Sequence, residues 1–399
     1  MIGKGIVGIV CEYNPFHNGH AYQIEKVRSR GYDTVVCVMS GNTVQRGEFS
    51  ITDKYTRAEC ALLSGADLVL ELPYPYSASG AEIFAAAGVR IISSIGANAI
   101  CFGSESGDHA QLRSTAETVL SKRFNDEYRS LCLTSLGTAE AYFEAYRRVS
   151  GSEHPAGAND VLGVSYLKEI MRSGYNLQVE VITRFGSDYR EKDINVAKKY
   201  PSATMLREFI YQNGFKDDLK SLMPEAVFDV LRAKGKIHDI KLLDNGILSY
   251  FRICDASKLG QLDIYEAGGG LSERILNFSH RARSYDELVS LVAGKKYTAS
   301  RVKRAILHCL TGALHSDIDL NIAYSTVLGF NEKGRKLLAD IRKKNAIPTV
   351  VKPSDAKNLG DNAIRQFELS LKIDSMYTLI SSDAEESGKY ITSSPVIVK

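Results

Sequence analysis

The stretch Val7-Gly8-Ile9-Val10-Cys11-Glu12-Tyr13-Asn14-Pro15-Phe16-His17-Asn18-Gly19-His20 joins a buried strand to a helix through a short turn. Its first half is a β-branched apolar run, Pro15 and Gly19 shape the turn, and His20 to Arg28 continues with amphipathic helical spacing. A strand that feeds straight into a helix brings unpaired N–H groups and the positive end of the helix dipole to the sheet edge, which suits an anion. Gly19 removes a side chain that would block a phosphate from the backbone. His17 and His20 stand three residues apart, so both imidazoles face one side of the first turn. Two such donors can hydrogen-bond the charge that builds on phosphates as an α-phosphorus is attacked and pyrophosphate leaves.

Further apolar runs read as buried strands at Thr34 to Met39, Asp67 to Leu70, Ala99 to Phe102 and Leu177 to Thr183, with Gly5 to Cys11 as the first. Amphipathic stretches lie between them, at His20 to Arg28, Thr52 to Ser64 and Ala81 to Ser94. This alternation predicts an α/β fold, a Rossmann-like domain with a parallel sheet covered by helices, over residues 1–215. Ligands of such sheets sit beyond the carboxyl ends of the strands. After about Phe215 the pattern becomes helix after helix, as at Asp286 to Ala293, Ala299 to Thr311 and Glu332 to Lys343. A second, mainly α-helical domain is expected over 216–399, with the polar tail from Ser381 loosely held.

Of the 399 residues, 44% are hydrophobic and 24% charged, enough for two domains with real cores. A net charge of +3 does not by itself diagnose a nucleic-acid partner. The distribution does more: Leu271 to Val350 holds 14 Lys and Arg against 7 Asp and Glu, an excess of +7 that leaves −4 for the remainder. Such a concentration suits a phosphate backbone, and Tyr297 and Tyr324 lie nearby for stacking on unpaired bases. Arg46, Lys295, Lys296, Arg301, Lys303 and Arg304 are the candidate contacts. Solvated helix faces would give the same charge pattern. The seven scattered cysteines, without a CxxC pair, read as reduced thiols, and no apolar stretch approaches the ~20 residues of a membrane span. A cytoplasmic location is expected.

A second motif, Tyr200-Pro-Ser-Ala-Thr-Met-Leu-Arg207, opens another helix. Ser202 is a plausible N-cap, and Thr204 and Arg207 fall in the first turn or so, where hydroxyl, backbone and guanidinium can share a phosphate. Gly103 ends the Ala99 to Phe102 run, where a glycine lets a nucleobase or ribose pack on backbone. Asn159 can cap the apolar helix that follows it, and Arg184 lies just past the Leu177 to Thr183 run.

Pro15 to His20 resembles the H-x-G-H signature of the nucleotidyltransferase superfamily, and Ser202 to Arg207 its S-x-T-x-x-R signature in adenylyltransferases. With Met39 to Phe49, Asp53-Lys54, Arg57, Gly65 to Pro73, Lys295 to Arg301, Gly329 to Arg335 and Ile347 to Val351, nearly the full chain resembles the bacterial tRNA(Met) cytidine acetate ligase family. That family usually carries tryptophan where this chain has Tyr55. The resemblance implies activation of acetate by ATP as acetyl-adenylate and transfer of the acetyl group to N4 of the wobble cytidine of elongator tRNA(Met). It further implies ATP contacts on Val7, Gly8, Ile9, Val10, Cys11, Glu12, Tyr13, Asn14, Pro15, Phe16, His17, Asn18, Gly19 and His20, and on Gly103, Asn159, Arg184, Ser202, Thr204 and Arg207. Among these, His17, His20 and Arg207 would be catalytic. No cluster has metal-ligand spacing, so a magnesium ion would be held mainly by the nucleotide. Two alternatives remain at this stage: an adenylyltransferase for a small metabolite, and a non-enzymatic RNA-binding factor on the same fold. Oligomeric state is not legible.

Overall fold

The computed structural model describes residues 4–134, 136–155, 157–184, 201–255, 259, 261–318, 322–344 and 346–399. Strands β1 (Ile6–Cys11), β2 (Thr34–Ser40), β5 (Leu68–Leu72), β6 (Ala99–Ser104) and β7 (Gln178–Thr183) form where the apolar runs predict them, to within two residues at each end. Between β2 and β5 a short hairpin, β3 (Thr43–Val44) and β4 (Glu48–Phe49), stands apart from the main sheet. The strands lie in the order β10-β8-β5-β2-β1-β6-β7, where β8 is Ser325–Phe330 and β10 is Val396–Ile397, while β9 (Thr349–Val350) pairs with β8 off this path. β8 runs antiparallel to β5, and the remaining neighbours are parallel. Strand order reverses at β1, which is flanked by β2 and β6, so the crevice beyond its carboxyl end is the expected ligand position.

Helices cover both faces because the strands are apolar on both sides. α1 (Asn18–Ser29) and α2 (Lys54–Leu63) pack on one face with Leu206, Ile210, Val227 and Phe228. On the other lie α3 (Ala81–Ser94), α4 (His109–Leu120), α5 (Lys122–Cys132), α6 (Thr138–Ser150) and α7 (Ala158–Ser173). A third core, separate from the sheet, forms between Ile247 and Cys309.

The sheet crosses the expected division at 215. Ser325-Thr-Val-Leu-Gly-Phe330 is a six-residue apolar run of strand length, and it pairs with β5 rather than staying with the helices. Nor is the tail loose throughout: Val396–Ile397 pairs with β8, and Tyr390 is buried. The helix Asp361–Tyr377 is held to the sheet by a buried ion cluster. Lys54 Nζ lies 2.9 Å from Glu71 Oε1 and 2.8 Å from Asp374 Oδ2, and Asn42 Nδ2 donates to Asp374 Oδ1 at 2.8 Å. Burial pushes the Asp374 carboxyl up to about 6, against the pull of Lys54.

Removing one partner from such a cluster strands uncompensated charge in a dry interior. Lys54→Met should therefore lower unfolding stability by about 3–5 kcal/mol, read from denaturant or thermal unfolding. An unchanged midpoint would show that the cluster does not hold the C-terminal helix.

Candidate active site

The β1–α1 turn is built around the two imidazoles. His17 is the N-cap of α1 in extended conformation, and its Nδ1 accepts from the Gly19 N–H at 3.0 Å. The His17 N–H donates to His20 Nδ1 at 3.3 Å, closing a reciprocal capping box in which both side chains are histidines. The rings stack with centroids 3.8 Å apart. A Cβ at Gly19 would lie 2.8 Å from His17 Cε1, so this glycine makes room for an imidazole as much as for a phosphate. Tyr13, just before the turn, is buried at φ 49°, a left-handed conformation that costs energy in a non-glycine residue. Its ring packs against Phe16 and His20.

Both histidines are neutral. Burial, then the charge of Arg184, lowers His17 to about 3. Burial, then His17 and Arg184, holds His20 well below its ordinary value. Because each Nδ1 accepts from a backbone N–H, each neutral ring carries its proton on Nε2 and is a donor there. His17 Nε2 is buried with no partner among the described residues.

The second motif reaches the same place. Ser202 caps the helix Ala203–Asn213 by accepting from the Met205 N–H at 3.2 Å. Arg207 Nη1 then donates to the Asn14 carbonyl at 2.8 Å, and its Nη2 to Thr204 Oγ1 at 3.3 Å. Two helix openings almost two hundred residues apart are thereby tied directly together. Tyr200 lies outside the described residues.

A cleft of about 300 Å³ opens between them at the carboxyl ends of β1, β6 and β7. From the first motif it is lined by Val10, Cys11, Glu12, Tyr13, Asn14, His17 and His20; Gly103, Asn159, Arg184, Ser202, Thr204, Arg207 and Arg46 complete the candidate set. Val7, Gly8, Ile9, Pro15, Phe16, Asn18 and Gly19 do not line it. Val7 and Ile9 are core, and Gly19 edges a smaller cavity beside the cleft with His17, His20, Gly103 and Arg184. Gln23, Gln45, Phe102, Leu162 and Tyr166 line the cleft without having been singled out from sequence. Glu12 is the only carboxylate among the described lining residues; burial pushes it up, and its Oε1 accepts from the Gln45 N–H at 2.8 Å.

Two residues serve differently from their sequence reading. Asn159 does not cap its helix; the N-cap is Gly157, and the helix opening is satisfied by Glu105, whose Oε1 accepts from the Asn159 N–H and whose Oε2 accepts from the Asp160 N–H. A Cβ at Gly103 would lie 3.1 Å from Arg184 Cγ, so Gly103 also makes space for the Arg184 stem.

The basic candidates divide. Lys295, Lys296 and Arg46 are exposed, and Arg301 is half-buried over the Tyr297 ring. Lys303 pairs with Glu48 at 2.6 Å, and Arg304 is buried against Glu266, also at 2.6 Å. These two side chains brace the β3–β4 hairpin against the helix Ala299–Thr311, and Lys303 also lines an open groove. Tyr297 and Tyr324 are buried and bonded to Gly269 O and Ser370 Oγ, so neither offers a face for stacking. The cysteines are free; Cys132 is exposed and Cys37, Cys60, Cys101 and Cys309 are core.

A histidine whose pKa is depressed by folding binds fewer protons folded than unfolded, so stability falls as pH drops below the unfolded value of about 6.5. For His17 the window runs from there toward about 3. His17→Asn keeps an N-cap acceptor and should reduce the loss of stability between pH 6.5 and 5 by up to about 1.4 kcal/mol per pH unit. Unfolding at several pH values checks it; parallel curves for the two proteins would mean that folding does not depress the His17 pKa.

The HIGH Nucleotidyl Transferase family model matches residues 4–390. The tRNA(Met) cytidine acetate ligase of Acetivibrio thermocellus is 33% identical over 400 residues, covering 94% of each chain. That of Clostridium botulinum strain Okra is 32% identical, covering 99% of this chain and 98% of its own. In three dimensions the chain is similar to the crystal structure of Thermotoga maritima TmcAL bound with alpha-thio ATP, with a TM-score of 0.89, 27% identity and 99% of both chains covered. With the paired imidazoles and the Arg207 helix meeting in one cleft, this chain belongs to the tRNA(Met) cytidine acetate ligase family of HIGH nucleotidyltransferases.

Proposed function

We propose that this protein uses ATP to activate acetate as acetyl-adenylate and transfers the acetyl group to N4 of the wobble cytidine of elongator tRNA(Met). The observation that carries the reading is the convergence of the two motifs: the Arg207 guanidinium on the Asn14 carbonyl, beside an imidazole pair whose Nε2 positions are donors. In the first step an acetate oxygen bonds to the α-phosphorus and the bond to pyrophosphate breaks. Negative charge moves onto the phosphate oxygens, where the histidine N–H groups, Arg207 and Arg184 would stabilise it. The buried His17 Nε2, without a partner among the described residues, supports this, since a phosphate oxygen would complete its hydrogen bonding. Neutral imidazoles keep their protons on Nε2 as donors and do not compete as bases at neutral pH. A magnesium ion would be held mainly by the triphosphate.

In the second step the cytidine amine bonds to the acetyl carbon, the bond from that carbon to the AMP oxygen breaks, and the amine loses a proton. The exposed Lys295, Lys296 and Arg46 are the groups we assign to the tRNA backbone. Lys303 and Arg304 are engaged by carboxylate partners, which weighs against that role for them.

Acetate-dependent exchange of labelled pyrophosphate into ATP tests the first step, and the gain of one acetyl group by tRNA(Met) on mass spectrometry tests the second. Absence of both would defeat the reading. His20→Ala should lower exchange by about 10²–10³-fold while leaving tRNA affinity unaltered; equal loss of both would make His20 a structural residue only. Replacing Lys295 and Lys296 together by Gln should weaken tRNA binding and flatten its salt dependence by about one unit of slope per lost phosphate contact. An unaltered slope would put the RNA surface elsewhere.

A further inference from the structure

Beside the nucleotide cleft lies a second opening, a groove of about 410 Å³ between the α/β part and the helical part. It shares two residues with the cleft, Thr204 and Arg207. The hairpin also contributes to both spaces: Gln45 and Arg46 line the cleft, Glu48 and Phe49 the groove. The volume falls in the range of ~300–1,000 Å³ usual for small-ligand sites.

Two polar groups lining the groove have no protein partner among the described residues. Tyr285 is 2% exposed and its hydroxyl is buried with no partner among the described residues. Such a group is normally bonded, and Tyr285 lines the groove, where an occupant can supply the missing partner. Glu208, next to the phosphate-facing Arg207, is exposed and makes no hydrogen bond or ion pair among the described residues. Tyr211 adds a ring that is 43% exposed, with its hydroxyl fixed on the His238 carbonyl at 3.2 Å. A held aromatic ring, a free carboxylate and an orphan hydroxyl together match an unstacked base: the ring for its π-face, the carboxylate for an exocyclic N–H and the hydroxyl for a carbonyl or ring nitrogen.

We propose that this groove receives the acceptor nucleotide, with Tyr211, Glu208 and Tyr285 positioning its amine-bearing pyrimidine toward the acyl-adenylate across the Thr204–Arg207 wall. The inference rests on the acetate-ligase reading and adds the subsite that reading requires. An amine can attack an acetyl group on the α-phosphate only from a space adjoining the nucleotide cleft, and this groove adjoins that cleft at Thr204 and Arg207.

The test compares Glu208→Gln, Tyr285→Phe and Tyr211→Ala with the unaltered protein in two assays, acetate-dependent pyrophosphate exchange and acetylation of tRNA(Met). Exchange should stay within about twofold in all three, while kcat/KM for tRNA acetylation falls by ~10-fold or more in each. Tyr285→Phe removes only a hydroxyl, so it separates loss of recognition from loss of packing. Acetylation at the unaltered rate in all three variants overturns the proposal. Joint loss of exchange and acetylation also overturns it, because these residues would then serve the nucleotide cleft or the fold. Lack of exchange in the unaltered protein would remove the ligase reading and this proposal with it.

Discussion

One buried guanidinium organises the edge of the sheet on which the site is built. Arg57 is fully buried, and its donors go to backbone carbonyls: Nε to Thr52, Nη1 to Glu12 at 2.6 Å and Ser40 at 3.1 Å, and Nη2 to Gly41. Burial lowers its pKa, opposed by the nearby charge of Asp53, yet an arginine so satisfied keeps its proton. The carbonyls it gathers lie just past the carboxyl ends of β1 and β2 and at the approach to α2. Without that donor fork several carbonyls would be left unpaired in a dry interior, a cost that the fold can avoid only by letting the strand ends separate. Glu12 O is the carbonyl directly before the left-handed Tyr13, so the turn bearing both histidines starts from a fixed point.

The same region shows how far the C-terminal part belongs to the catalytic part. Asp374 and Glu71 share Lys54 in the interior, Tyr377 donates to the Ser50 carbonyl at 2.9 Å, and Gln366 donates to Tyr76 at 3.0 Å. The Lys54 and Ser50 ends of these bonds lie on the segment between β2 and β5 that also carries the hairpin, and the Glu71 and Tyr76 ends lie in β5 and just past it. On its other side the hairpin is clasped by Lys303 and Arg304 from the helical part. The wall between cleft and groove is therefore set by both regions at once.

What could be read from the sequence follows the range of the interactions concerned. β1, β2, β5, β6 and β7 are local apolar runs, and the two histidines and the Ser202 cap act within three residues of themselves, so pattern and spacing revealed them. β8 carries an equally apolar run, but its helical surroundings concealed that it returns to β5. The residues misjudged are those whose partners are remote. Asn159 had the chemistry of a cap, and Glu105, 54 residues earlier, supplies it instead. Arg304 and Lys303 looked like RNA contacts because their positive charge is visible in sequence and their carboxylate partners, Glu266 and Glu48, are not. Arg57 entered only through the family resemblance, and nothing local announced its structural role, since what defines that role is four scattered carbonyls.

The adjacency of cleft and groove bears on how a two-step reaction can be kept orderly. An acyl-adenylate is open to hydrolysis, so an enzyme that makes one gains by presenting the acceptor before water reaches the acetyl carbon. Here the adenylate site and the proposed acceptor site share Thr204 and Arg207, and Arg207 is anchored on Asn14 rather than free to swing. A shared fixed wall lets the amine meet the acetyl group by occupying a neighbouring space, with no transport of the intermediate. The neutral state of the histidines fits that arrangement, since donors that hold their protons stabilise phosphate charge in both the formation and the departure of AMP.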